Sequence, residues 1–160
     1  NILFDDNAQD GISLLNANGI ANADPTVYNI ENNVVTNNDV NGIRAVAQSA
    51  AIVNLNIING NVITGNTGGD AAGGINLLAT ADAVMTANID DNDISGNTGN
   101  GIIASVDFFA TLNGTWSENQ INNNTSDGIR ITGARSSLVG AAPTGRCHHP
   151  VSDRLGPGRR

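Results

Sequence analysis

A short polar phrase returns four times in this chain: NVVTNND at 33–39, NVITGNT at 61–67, NDISGNT at 92–98 and NQINNNT at 119–125. Each copy is built round one apolar residue, and a fifth, looser copy near the start centres on Phe4. Aligned on that residue, the column reads Phe4, Val35, Ile63, Ile94 and Ile121, with successive offsets of 31, 28, 31 and 27 residues. An asparagine stands three residues further on each time: Asn7, Asn38, Asn66, Asn97 and Asn124. A glycine followed by isoleucine comes next, placing Ile12, Ile43, Ile75, Ile102 and Ile129 in a second apolar column. The distance from Asn to Gly is four residues except in the third copy, where TGGDAAGG carries four more. A third apolar column precedes the phrase, at Ile30, Ile58, Ile89 and Trp116.

Repeats of this length belong to solenoids, in which each unit buries its apolar side against its neighbours. Helical solenoids need long apolar stripes of period 3.6. Here the apolar runs are short, alternate with a period of two and are bounded by Asn, Asp and Gly, which is the pattern of strands and turns. One turn of a coil with about three short strands fits each repeat. Alternate side chains then point into a narrow core and stack at roughly 4.8 Å per rung. With only 3% aromatic residues the chain has little to fill a thick globular core, whereas a rung needs only small and medium side chains. Asparagine is the dominant residue type, at 26 of 160 positions, and the strict register of the aliphatic residues argues for order in spite of it.

The pattern NxIxxNxxxGI resembles the repeat of right-handed parallel β-helix proteins of the pectate-lyase-like kind, over about residues 1–133. The resemblance implies an all-β solenoid of a partial first rung and four further repeats. It also implies that Asn7, Asn38, Asn66, Asn97 and Asn124 stack into a ladder at one turn, their amides bonded along the axis. The chemistry of asparagine agrees, since its side chain bonds readily to turn backbone and tolerates left-handed conformations. The recurring glycine suggests a positive φ or a tight corner. TGGDAAGG has no lysine and no helix to open, so it reads as a longer projecting turn rather than a phosphate loop.

Residues 134–160 break the repeat. This stretch holds five of the seven arginines, the single cysteine and both histidines. Its net charge is +4, against −12 for the repeat region, where only Arg44 and Arg130 oppose fourteen acidic residues. Such a change suits text foreign to the repeat as well as it suits a linker, and an irregular tail that leaves the coil is expected. Cys147, His148 and His149 are adjacent and cannot all face one ion in tetrahedral geometry, so no metal site is read there. The acidic body excludes nucleic-acid binding, which needs several Lys or Arg contacts to phosphate. No apolar run of 18 residues exists, hence no membrane span is expected in this segment. The chain opens in mid-rung at Asn1, so a larger parent polypeptide is expected. Near absence of cysteine among Asn-, Gly- and Thr-rich repeats suits an exported bacterial protein, extracellular or at the cell surface.

Catalytic candidates are weak. The resembled architecture implies polysaccharide lyase chemistry, with Asp residues holding Ca²⁺ and a basic residue near the scissile bond. Arg44 and Arg130 follow the Gly-Ile pairs in one column, three rungs or about 14 Å apart, too far to serve one bond. The densest acidic cluster is Asp90, Asp91 and Asp93. Asp91 and Asp93 share a face if strand-like, and two such carboxylates can hold Ca²⁺ weakly or act as an acid/base pair. Asp70, in the inserted turn one rung earlier, joins them as a third candidate. The column Asp10, Asn41, Gly73, Asn100 and Asp127 swaps its occupant without pattern and reads as turn chemistry. Thr36 and Thr64 begin a hydroxyl column that Ser95 and Asn122 continue only in part, which weakens an ice-binding reading. Phe108 and Phe109, close before Trp116, either fill the core or form a sugar-stacking platform. Two functions therefore stand open. One is a structural or adhesive rod of an exported surface protein, with shallow binding of a polysaccharide or cell-surface glycan and no cofactor. The other is part of a carbohydrate-active enzyme, a lyase or glycoside hydrolase, with Ca²⁺ as its only implied cofactor.

Overall fold

The computed structural model describes residues 1–17, 24–134, 137–140 and 147–148, the last two segments and Ala134 by their backbone alone. Among the described residues there is no helix, and all strand pairing is parallel. The chain is a β-solenoid of about five turns, each turn contributing one strand to each of three sheets. Sheet A stacks β1 (Leu3–Asp5), β4 (Val34–Thr36), β7 (Val62–Thr64), β10 (Asp93–Ser95), β13 (Gln120–Asn122) and β16 (Cys147–His148). Sheet B stacks β2 (Ile12–Asn16), β5 (Ile43–Ala47), β8 (Gly69–Ala79), β11 (Gly99–Asp107) and β14 (Ile129–Ala134). Sheet C stacks β3 (Thr26–Glu31), β6 (Ile52–Ile58), β9 (Val84–Asp90), β12 (Thr111–Ser117) and β15 (Ser137–Gly140).

The aliphatic columns pair in register. Phe4, Val35, Ile63, Ile94 and Ile121 form a continuous inward column of sheet A. Ile12, Ile43, Ile75, Ile102 and Ile129 do the same in sheet B. The middle members are fully buried, while Phe4, Ile12 and Ile129, at the ends of the stack, are half-buried against the same core. The third column needs one correction. Ile57, not Ile58, pairs with Ile30 and Ile89 and is buried; Ile58 pairs with Glu31 and Asp90, on the outer side of the strand. The turn after β6 is one residue longer, with both Asn59 and Gly60 at positive φ, and that extra residue shifted the alignment by sequence.

Trp116 takes the place of isoleucine in this column and is 7% exposed. Room for it comes from the neighbouring inward column, which narrows from Leu55 through Ala87 to Gly114. A Cβ on Gly114 would lie 2.9 Å from Trp116 Nε1, so the indole folds over the glycine. Trp116 therefore belongs to the core.

The boundary expected at 133 is not where pairing stops. β14 runs to Ala134, β15 pairs with β12 from Thr111–Ser137 to Gly114–Gly140, and β16 pairs with Ile121 and Asn122. Parallel pairing needs only backbone N–H and C=O groups, which residues outside the repeat also supply. The rest of 134–160, including His149, lies outside the described residues.

Candidate functional site

The asparagines of the repeat are structural in their contacts. Asn7 Nδ2 donates to Asn38 Oδ1 at 2.7 Å, Asn38 to Asn66 at 2.8 Å, Asn66 to Asn97 at 2.8 Å and Asn97 to Asn124 at 3.0 Å. Each Oδ1 from Asn38 upward also accepts the backbone N–H of the asparagine one rung below. The second amide hydrogen goes to a carbonyl of sheet A in the rung below, as from Asn97 to Ile63 and from Asn124 to Ile94. From Asn38 to Asn124 these amides are buried at the corner between sheets A and B, while Asn7 at the open end is exposed; both donors and the acceptor of an inner member such as Asn97 are bonded.

A second ladder, not read from the sequence, lies at the corner between sheets C and A. Asn61 Nδ2 donates to Asn92 Oδ1 at 2.8 Å and Asn92 to Asn119 at 2.9 Å, while Asn33 N donates to Asn61 Oδ1 at 3.0 Å. Its signal was present, because every full copy of the phrase opens with asparagine two residues before the aliphatic. In both ladders the residue just before the asparagine has positive φ: Asp6, Asn37, Gly65, Gly96 and Asn123 at one corner, Asn32, Gly60, Asp91 and Glu118 at the other. The left-handed position is thus the neighbour, and the ladder asparagine is selected for its amide.

The repeated glycine is explained by space rather than by φ. Gly42 has no left-handed φ, yet a Cβ there would sit 2.6 Å from Ile63 Cγ2, 2.7 Å from Gly74 O and 2.8 Å from Asn66 Nδ2. Gly101 meets the same three kinds of neighbour at 2.5–2.8 Å. The glycine lets the next rung's ladder amide approach the backbone.

The three acidic candidates occupy different places. Asp91 is an exposed left-handed residue of the turn into sheet A. Asp93 lies on the outward column of that sheet, between Val62 and Gln120. Asp70 lies past the other end of the sheet A strands, in the insertion at the start of β8, where its Oδ1 accepts from Ser126 Oγ at 2.7 Å. The intervening β10 separates Asp91 from the corner at Asn97, so Asp70 and Asp91 do not face a common point. Asp90 is engaged by a short hydrogen bond from Ser117 Oγ on the next rung. Among the described residues no three of His, Cys, Asp and Glu come together as a metal-binding group.

The insertion itself reaches upward. Gly69 N bonds to Thr98 O at 2.9 Å, and Asp70 O accepts from Asn100 Nδ2 at 2.9 Å and from Arg130 Nη1 at 3.4 Å. It therefore straps rung three to rungs four and five. Arg44 and Arg130 sit in one outward column, separated by Asn76 and Ile103. The Asp10 column is turn chemistry in its contacts: Asp10 Oδ1 accepts from both N and Nδ2 of Asn41, and Asn100 Oδ1 from Asp127 N.

Phe108 and Phe109 are on the surface, 71% and 74% exposed, which removes the core reading for both. They form the central pair of the turn between sheets B and C, closed by Ala110 N to Asp107 O at 3.2 Å. Beside this turn, sheet C presents outward columns of Asn and Thr in strict register, among them Asn54–Thr86–Asn113 and Asn56–Asn88–Thr115. Comparison with protein-family models, with curated proteins and with solved structures finds no match.

Proposed function

We propose that this segment is a structural or adhesive rod of the right-handed, pectate-lyase-like kind, part of an exported bacterial surface protein, with shallow binding of glycans along its flank. The observation that carries the reading is the pair of buried amide ladders. They spend the recurring asparagines on axial bonding and leave the middle outward columns of sheet C as a repetitive, uncharged polar surface over three rungs. A rod wants that division, with one corner chemistry repeated and the faces free to vary. The scattered positions of Asp70, Asp91 and Asp93 support binding over turnover.

An enzymatic reading has one observation in its favour. The insertion sets the Asp70 carboxylate and the Arg130 guanidinium on one side of the coil, as an acid and a cation near a uronic acid would need. The test for both readings is a screen of pectic, alginate-type and neutral glycans, with and without Ca²⁺. The rod reading expects weak binding, with dissociation constants of roughly millimolar or about −4 kcal/mol, and no product. Turnover that disappears in Asp91→Asn/Asp93→Asn or in Asp70→Asn would replace the rod with the enzyme.

A further inference from the structure

The Phe108–Phe109 turn is built against its own stability. Both residues have positive φ, 50° and 66°, where bulky side chains are disfavoured by about 1–2 kcal/mol each. Two positive values in succession fit the type I′ turn, which favours Asn-Gly. The same turn carries Ala81-Asp82 one repeat earlier and Ser49-Ala50 two repeats earlier, so nothing in the coil requires large rings here. Nor do the rings recover the cost by burial, since both stand in solvent. A strained backbone that presents two exposed aromatic rings, on a scaffold that accepts Ser and Ala at the same place, marks a contact surface.

We propose that this turn and the outer face of sheet C form one docking ledge for a neutral polysaccharide chain. The proposal rests on the glycan-binding reading above and assigns it a place and a ligand class. β12 begins two residues after Phe109, so the rings stand at the edge of the sheet C face. The two middle outward columns offer Asn54, Thr86 and Asn113, then Asn56, Asn88 and Thr115. They carry no charge, repeat at about 4.8 Å between rungs and about 6.6 Å along a strand, and supply both donors and acceptors. Sugar rings with equatorial hydroxyls combine an apolar C–H face, suited to an aromatic ring, with a hydroxyl edge suited to amides.

Charge selects among glycans. Exposed Asp82 lies in the turn directly adjoining Phe108, its N–H bonded to Phe108 O at 3.1 Å, and Asp107 immediately precedes the pair. Asp90 and Glu31 line the far outward column of sheet C. A uronic acid polymer or an anionic lipid surface would meet this acidic rim unfavourably, so a neutral chain is the fitting occupant.

The experiment is co-sedimentation with insoluble β-1,4-glucan and β-1,4-linked N-acetylglucosamine polymer, plus titration with their soluble oligomers. Pectate, alginate and anionic lipid vesicles run in parallel, with sedimentation velocity for self-association. Binding to at least one neutral polymer is expected, weakened about tenfold or more in Phe108→Ala/Phe109→Ala with the melting temperature kept or raised. Thr86→Lys/Asn88→Lys, on the same ledge, should weaken it as well. Neutral-glycan binding untouched by the double Phe variant overturns the ledge while leaving the glycan reading. Binding confined to anionic glycans or vesicles, or self-association abolished by the Phe variant without any glycan binding, overturns the ledge and names another occupant. No binding to any glycan overturns both.

Discussion

At the corners where sheet A begins and ends, an asparagine recurs in the rungs and bonds up and down the axis. At the corner between sheets B and C, the same rungs turn through Ser49-Ala50, Ala81-Asp82 and Phe108-Phe109, with no side chain in common. The backbone alone makes that third corner. Ala51 N bonds to Gln48 O, Ala83 N to Thr80 O and Ala110 N to Asp107 O within the turns, while Ala50 N bonds to Ala81 O and Asp82 N to Phe108 O between them. Where side-chain amides close the corner, the residue type is fixed by bonding in the interior. Where backbone groups close it, the side chains are released for other work. The difference teaches that sequence regularity in this chain follows who supplies the hydrogen bonds, and that recognition is to be sought at the irregular corner.

The largest effect that tests this comparison is loss of an inner ladder amide. Asn97→Ala removes the acceptor of both Asn66 N and Asn66 Nδ2 and leaves the buried N–H and one of the two amide hydrogens unpaired. At about 1–3 kcal/mol for each orphaned group, a loss of roughly 2–6 kcal/mol is expected in denaturant unfolding. Ala81→Asn at the third corner, by contrast, should change stability by less than about 1 kcal/mol. Equal costs at the two places would break the distinction.

Crowding behind the ladder should come next. Gly101→Ala places a methyl group 2.5 Å from Gly128 O and 2.8 Å from Asn124 Nδ2. Overpacking of this kind costs about 1–3 kcal/mol, and a lowered melting temperature is the readout. A glycine kept for its φ would instead tolerate asparagine, so Gly101→Asn sharpens the point: it should be worse than Gly101→Ala.

Replacing Phe108-Phe109 with Asn-Gly should move stability the other way. The new pair suits two positive φ values, and a gain of about 1 kcal/mol is expected from relief of strain. A thermal shift assay reads it. A destabilised variant would mean that the rings support the coil, and the contrast between corners would lose its third member.

The smallest effect belongs to the left-handed residues beside the ladder. Gly96 shares its column with Asn37 and Asn123, and a Cβ there meets only Thr64 Oγ1, at 3.3 Å. Gly96→Asn should therefore stay within about 0.5 kcal/mol, whereas Gly96→Val, disfavoured at positive φ, should cost about 1–2 kcal/mol.

The spacing of Val35, Ile63, Ile94 and Ile121 was enough to give a parallel coil, because a stacked rung repeats its inward residues at one register. The first ladder was expected from the resemblance to parallel β-helix repeats, with which the turn chemistry of asparagine agrees. Its twin at Asn61, Asn92 and Asn119 stood in the same phrase, but a short polar residue at a turn has several common uses, and only the axial bonds distinguish them. Ile58 was misplaced because one extra residue at Asn59-Gly60 leaves no trace in the apolar pattern.

By itself, then, the sequence determined what depends on period: an all-β solenoid, two apolar columns in full and the third in all but its Ile58 member. Tertiary structure decided what depends on the distance between rungs. It brought Asp70 to Ser126, 56 residues away, kept Asp70 apart from Asp91 and Asp93, and pressed Gly42 and Gly101 against the next rung's amides. It also sent Trp116 inward over Gly114 and left Phe108 and Phe109 in solvent. Aromatic residues are compatible with either side of so thin a wall. The choice follows from whether a neighbouring column narrows to make room, as it does beside Trp116, or whether the ring sits at a turn whose hydrogen bonds are already complete.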